Sequence, residues 1–181
     1  MCVSYRALNR ITKPFQFPIP RCDDSIYMLG NGSVHIFIIT LDARQGYHQI
    51  AVRALDQDKL AFFGPDDYKY CYTVMPFGPT NAPTFYTAMM RNFKQEWDSL
   101  FIERVGKLKQ VAGHNVTMTS EGNVSVNGKQ IKSGSCSIID DILIWCCYEE
   151  LVVFYFECVC IVFQNIESAS NYPNASSCQI V

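Results

Sequence analysis

Residues 135–147 read SCSIIDDILIWCC, and the adjacent carboxylates of Asp140 and Asp141 interrupt a run otherwise made of Ile, Leu, Trp and Cys. Ionised carboxylates among apolar side chains are costly unless something compensates them. At about 4 Å two of them also repel by roughly 4 kcal/mol at an effective dielectric of 20. A third acid, Asp42, ends the β-branched run VHIFIITLDA at 34–43. Converging carboxylates with no dedicated basic partner make a cation site. Mg²⁺ takes one or two carboxylates together with substrate phosphates, and two such ions roughly 3.5–4 Å apart serve both oxygens of an in-line phosphoryl displacement. An Asp-Asp pair taken alone is more often a solvated turn without metal, so these residues by themselves leave both readings open.

Strands at 135–139 and 142–147 with two acids between them predict a tight hairpin with the acids at its tip. Alternation along a strand sends neighbouring side chains to opposite faces, but a turn relaxes that rule. If the strand ending at Asp42, read as buried, lies beside this hairpin, the carboxylates converge. Before it, residues 1–33 are polar, and Pro14, Pro18 and Pro20 exclude a long helix and suggest an extended arm. After Asp42 come GYHQIAV, then KLAFFG and YKYCYTV, two more short strand candidates separated by the turn signal Gly64-Pro65-Asp66-Asp67. The period then becomes helical, with Tyr86, Met89, Met90, Phe93, Trp97 and Leu100 on one stripe. Asn81 is placed to cap that helix, and Pro83 is tolerated in its first turn. Val116/Met118 and Val124/Val126 alternate with polar residues, and Asn127-Gly128 is a strong hairpin signal, so 103–134 reads as a small β-meander. An apolar helix from Glu149 to Gln164 follows, and from Ile166 the periodicity stops.

Bulk properties narrow the class. Hydrophobic residues at 49% against 18% charged exclude a disordered chain. The longest apolar run, around 151–163, is broken by Glu157 and is short for a membrane helix. The N-terminus has no apolar signal region. Nine cysteines include Cys146/Cys147 and Cys158/Cys160, which lack the C-x2-C spacing of zinc sites. Their odd number without a leader favours reduced thiols and a cytoplasmic or nuclear protein, not a secreted one. A net charge of −2 argues mildly against nucleic acid, although Arg6, Arg10, Lys13 and Arg21 all precede the first acid, Asp23. From charge alone, a solvated face is the simpler reading of that basic segment.

Four segments occur in a telling order: CVSYRALNRITKPFQFPIPRCDDSIYMLGN, ITLDARQGYHQIAV, VMPFGPTNAPTFYTAMM and IIDDILIW. Together they resemble the palm and part of the fingers of a gypsy-type reverse transcriptase from LTR retrotransposons, over Cys2–Phe101 and again from Ser135 to about Gln164. The resemblance implies an α+β fold: an antiparallel palm sheet backed by two helices, with a partial fingers arm (1–33), palm (34–102 and 135–165) and a β-meander insertion (103–134). It implies an RNA-directed DNA polymerase in which Asp42, Asp140 and Asp141 hold Mg²⁺, with Mn²⁺ as a possible substitute. Tyr47 matches the aromatic gate that crowds the ribose 2′ position; a core tyrosine is the plain alternative. Arg6 matches the fingers arginine that grips the triphosphate, a task suited to a planar charged fork. Phe77 and Gly78 match the stretch passing close to the incoming nucleotide and template, where a glycine permits the approach. The implied partners are an RNA or DNA template with its primer, deoxynucleotides, and the rest of a polyprotein, within a virus-like particle.

The chain departs from the family in places. Ile138 stands where Tyr commonly lies two positions before the paired aspartates, removing a hydroxyl and an aromatic surface near the primer. Ser4 stands where Asp is usual. The meander is longer than the usual connection, either a subgroup feature or retained non-coding sequence. The chain is expected to begin inside the fingers and to stop before the thumb, connection and RNase H. The tail, 166–181, is expected to be disordered and out of frame. Codons permitted for IESASNYPNASS, read from the third base of the first, give RVSFKLPKCEF, which resembles the family segment VSFRLDKCEF. Two functions follow as alternatives: a polymerase core present as a fragment, or a decayed non-catalytic remnant that at most binds a partner.

Overall fold

The run DILIWC forms a largely buried strand. This strand, Asp141–Cys146 (β9), is the centre of a three-stranded antiparallel sheet, flanked by Phe37–Asp42 (β1) and Ser133–Ile138 (β8). The computed structural model describes residues 3–19, 21, 23–24, 27, 29, 35–108, 110–111, 113–118, 124–138 and 141–168. Two compact units draw their described residues from Met1–Ile19 with Ala43–Met89, and from Pro20–Asp42 with Met90–Ser170.

In the second unit, alternation along β9 turns Ile142, Ile144 and Cys146 inward, and all three are buried. The helix Glu149–Ser168 (α4) packs over β9 and β1. Its first turn carries Glu149 and Glu150, which suit the positive end of the helix dipole. It runs past Gln164, where helix was expected to end, because Asn165–Ser168 contains neither Gly nor Pro. The long helix Ala82–Lys107 (α3) buries Tyr86, Met90, Phe93, Trp97, Phe101 and Val105. Repeated i+4 steps overshoot a turn of 3.6 residues, so the stripe drifts to Phe101 and leaves the expected Leu100 half-buried. Phe101 stacks on Tyr155 of α4 at 4.0 Å, and Trp97 meets Phe163 at 5.9 Å.

β1 differs from the buried strand expected there. It is a sheet edge, and Phe37 and Ile38 are exposed. A run of β-branched residues marks a strand without saying how many neighbours it has.

The meander consists of Gln110–Val111 (β4), His114–Met118 (β5), Val124–Val126 (β6) and Lys129–Gln130 (β7), paired in that order. Asn127 (φ 50°) and Gly128 (φ 77°) turn between β6 and β7, both in the left-handed region that a tight hairpin turn uses.

The first unit holds the helix Arg6–Ile11 (α1), so the arm is partly helical before Pro14. It is tied down by two asparagines, Asn9 within α1 and Asn81. Asn9 donates to the Gly78 carbonyl (2.9 Å) and accepts from Thr80 N–H (2.8 Å). Asn81 accepts from Phe15 N–H and donates to the Lys13 carbonyl, both at 2.9 Å. Its side chain therefore holds the arm, a different use from the helix cap expected of it. Phe15 stacks on Phe85 at 4.9 Å. Gly46–Gln49 forms a 3₁₀ turn, Ala54–Gln57 a short helix (α2), and Ala61–Phe63 (β2) pairs with Lys69–Cys71 (β3).

Asp56 on α2 is buried, with Arg53 and Lys59 each 2.9 Å away. The Lys59 hydrogen bond holds its carboxyl below the usual carboxylate range, against the pull of burial, and Arg53 adds to it. A depressed folded-state pKa gives stability that is present at neutral pH and lost as acid protonates the folded carboxylate. Asp56→Asn should cost about 1–3 kcal/mol at pH 7, less than a fully buried pair because both cations reach water. That deficit should shrink below about pH 4, measured by urea unfolding across pH.

Candidate active site

The register sets Asp42 directly opposite Asp141 across β1 and β9. Directly opposed residues of an antiparallel pair share a face, with Cβ atoms about 4.5–5.5 Å apart. Both carboxylates are exposed, and among the described residues neither enters an ion pair. Like charges so placed oppose folding; a divalent cation reverses that sign. Two acceptor-only carboxylates with open oxygens are the donor set that hard cations take, so the residues present fit Mg²⁺. Asp141 begins β9 and is not part of the turn predicted for it. Asp140 lies outside the described residues. No group of three His, Cys, Asp or Glu gathers among the described residues.

The expected nucleotide-binding residues fall in the first unit. Tyr47 is buried, stacked on Tyr86 at 5.1 Å and tilted against Phe77 at 5.0 Å. A Cβ at Gly46 would fall 2.7 Å from Tyr86 Cζ, so the absence of a side chain there lets Tyr86 lie against this turn. Phe77 is 59% exposed, so its ring is available to a ligand. Gly78 has φ +110°, and a Cβ there would stand 3.1 Å from the Tyr5 ring. Internal packing therefore explains this glycine without a nucleotide. Arg6 is exposed on α1 and forms no ion pair among the described residues, while the neighbouring Tyr5 and Asn9 hold α1 against Gly78. α1 thus meets the 77–81 segment, and Phe77 meets Tyr47. Of the other early basic residues, Arg10 and Lys13 are exposed, whereas Arg21 pairs with Asp23 at 3.3 Å.

A polar network joining α3, β8 and α4 was missed by sequence reasoning. Trp97 Nε1 donates to Ser135 Oγ (3.0 Å), and Ser135 donates to Asp98 Oδ1 (2.7 Å). Tyr155 OH donates to the same oxygen, and Lys94 Nζ lies 2.5 Å from Oδ2. Burial first, and then the Asp98 charge, raise the Tyr155 phenol, which keeps its proton to donate. No local pattern marks residues 37 and 57 positions apart as partners. Six described cysteines are free thiols, and burial pushes Cys146 up to about 12, so it is no nucleophile at neutral pH.

The second unit is thus an antiparallel three-stranded sheet with a helix packed on it and two acids paired between its edge and central strands. The family described as "Reverse transcriptase (RNA-dependent DNA polymerase)" matches residues 1–172, and the chain belongs to that family. It is similar to the Pol polyprotein of transposon opus from Drosophila melanogaster, 32% identical over 67% of this chain and 11% of the polyprotein. The gypsy polyprotein of the same organism is 31% identical over 67% of the chain and likewise 11% of its own length. An "RNA-directed DNA polymerase homolog" from Oenothera berteroana is 33% identical over 56% of this chain and 69% of the relative. The chain therefore spans about a tenth of those transposon polyproteins. Among the described residues no helix is long and apolar enough to cross a membrane.

Proposed function

We propose that this chain is the nucleotidyl-transfer core of a retrotransposon reverse transcriptase, in which a primer 3′-hydroxyl attacks the α-phosphate of a deoxynucleotide and releases pyrophosphate. The observation that carries this reading is the cross-strand pairing of Asp42 with Asp141. The β1-β9-β8 sheet with α3 and α4 is then the palm, α1 and its flanks a partial fingers arm, and β4–β7 an insertion. Asp42, Asp140 and Asp141 would hold the divalent ions. When bound, Mg²⁺ or Mn²⁺ supplies charge neutralisation at the transferring phosphoryl group. Arg6 offers a bidentate fork to the triphosphate. Tyr47 is supported as a sugar gate by its packing: a ring wedged between Tyr86 and Phe77 cannot swing aside for a 2′-hydroxyl. The substrates are an RNA or DNA template with primer, and the remainder of a polyprotein supplies the thumb, connection and RNase H. The competing reading, a decayed remnant, draws support from Ile138 in place of the usual Tyr.

Primer extension on an RNA template separates the two, with this chain replacing the matching segment of the opus polyprotein. Extension should require Mg²⁺ or Mn²⁺ and stop on chelation; no extension under any metal would favour the remnant. Within an active chimera, Tyr47→Ala should raise the ratio of ribo- to deoxynucleotide incorporation by about 10–200-fold, the range for one small steric group in a pocket. The ratio is insensitive to any loss of folded protein. Tyr47→Phe should leave it unchanged, and an unaltered ratio in Tyr47→Ala would remove Tyr47 from this role.

A further inference from the structure

Cys146 and Cys147 are neighbours in the chain, and alternation along a strand would send their thiols to opposite faces. β9 ends at Cys146, however, and the Cys146 sulfur turns towards the chain that follows it. It accepts the Tyr148 and Cys147 backbone N–H groups and meets the Cys147 thiol in a side-chain hydrogen bond. The backbone around the pair is fixed on both sides. Cys146 lies opposite Phe37 of β1 and Ser133 of β8, and the Cys147 N–H donates to the Lys132 carbonyl at 3.1 Å. The two thiols differ in access, since Cys146 has 0% exposure and Cys147 is half-buried. No other described cysteines adjoin in this way. Cys158 and Cys160 stand about 200° apart around α4, and Cys71 and Cys136 each stand on a strand without a neighbouring cysteine.

Geometry decides what such a pair can bind. The Cα atoms of adjacent residues are about 3.8 Å apart, short of the roughly 4.4–6.8 Å usual for a disulfide. A direct S–S bond between them would be strained. A single atom that bonds both sulfurs lets them stay further apart. That atom has to be thiophilic, because soft sulfur ligands select soft centres while Mg²⁺ takes oxygen.

We propose that Cys146 and Cys147 form a vicinal dithiol site for a monosubstituted trivalent arsenical. The accessible Cys147 thiol adds across the As=O bond: an As–S bond forms, and the S–H proton moves to oxygen to give As–OH. The Cys146 thiol then displaces that hydroxyl. A second As–S bond forms, the As–O bond breaks, and the Cys146 proton leaves with the hydroxyl as water. Arsenic stays trivalent, so neither an oxidant nor a reductant is consumed. Burial keeps the Cys146 thiol protonated, which suits a step in which that proton departs with the leaving oxygen. Reagent need not reach Cys146 from solvent, because Cys147 delivers the arsenic from one residue away and ring closure is intramolecular. The site is independent of the carboxylates, since Asp141 begins β9 and Cys146 ends it.

Intact-mass analysis and peptide mapping of the folded full chain, after addition of stoichiometric phenylarsine oxide, test this. The parent should carry one bridged arsenic, lose two titratable thiols, and show the adduct on the peptide containing 146 and 147. Excess glutathione, a monothiol, should leave the adduct in place, and dimercaptopropanol should remove it. Cys147→Ser should hold arsenic against glutathione about 10²-fold less well or worse, the loss of chelation. Cys160→Ser should match the parent, and Mg²⁺ should not protect. No bridged adduct on the folded parent, a bridge mapped to other cysteines, or undiminished retention in Cys147→Ser overturns the proposal. Should Cys147→Ser fail to fold, the mapped position of the adduct on the parent decides the matter alone.

Discussion

Asp42→Asn should lower nucleotidyl transfer by about 10³-fold or more, equivalent to about 4 kcal/mol of transition-state stabilisation, while leaving the fold intact or slightly firmer. The two effects have opposite signs for one reason. Asp42 and Asp141 face each other across β1 and β9 with no basic partner among the described residues. Without a cation, that arrangement is repulsive, and an amide at 42 relieves it. On the proposed reading the same two carboxylates would hold the cation, and an amide oxygen is a far poorer ligand than a carboxylate. Thermal unfolding of the isolated chain and paramagnetic broadening by Mn²⁺ provide the readouts beside primer extension. The parent should gain melting temperature on Mn²⁺ addition through linkage, and Asp42→Asn should not. Asp141→Asn should behave alike. Retained extension in Asp42→Asn would remove the carboxylate pair from the chemistry.

Trp97→Ala should destabilise the second unit by about 3–5 kcal/mol, the range for deleting a fully buried aromatic side chain. Trp97 has 0% exposure, its ring meets Phe163, and its Nε1 supplies the hydrogen bond to Ser135. The loss combines an unfilled cavity between α3 and α4 with the withdrawal of one donor from a buried network. At the low end of a typical total stability of about 5–15 kcal/mol, this is enough to leave a measurable unfolded fraction near room temperature. Trp97→Phe should recover most of the packing but not the hydrogen bond, costing about 1–2 kcal/mol. Urea denaturation followed by far-UV circular dichroism measures both, and a cost below 1 kcal/mol for Trp97→Ala would mean that the two helices close over the gap.

Local chemistry in the chain carried much of this. The helical spacing from Tyr86 to Trp97, the Asn127-Gly128 turn and the strands around two acids each follow from periodicity or backbone preference within a few residues. The resemblance to reverse transcriptases likewise rests on short, ordered motifs, and the family match extends to residue 172. The frame of the tail is a separate matter, checked by the nucleotide sequence of the locus, since 169–181 lie outside the described residues.

What the tertiary structure decided is which residues meet. The strand ending at Asp42 is an edge and not a buried strand, and Asp141 belongs to β9 and not to a turn. Asn81 ties down the arm although its type and position suited a cap. Gly78 is required by the Tyr5 ring and its own positive φ. Most telling is β8, whose Ser135 finds Asp98 across 37 positions of sequence. Periodicity is encoded between neighbours in the chain, because side chains on a strand or helix repeat by geometry. Register, edge position and hydrogen-bond partnership are relations between distant segments, and they exist only once packing has brought those segments together.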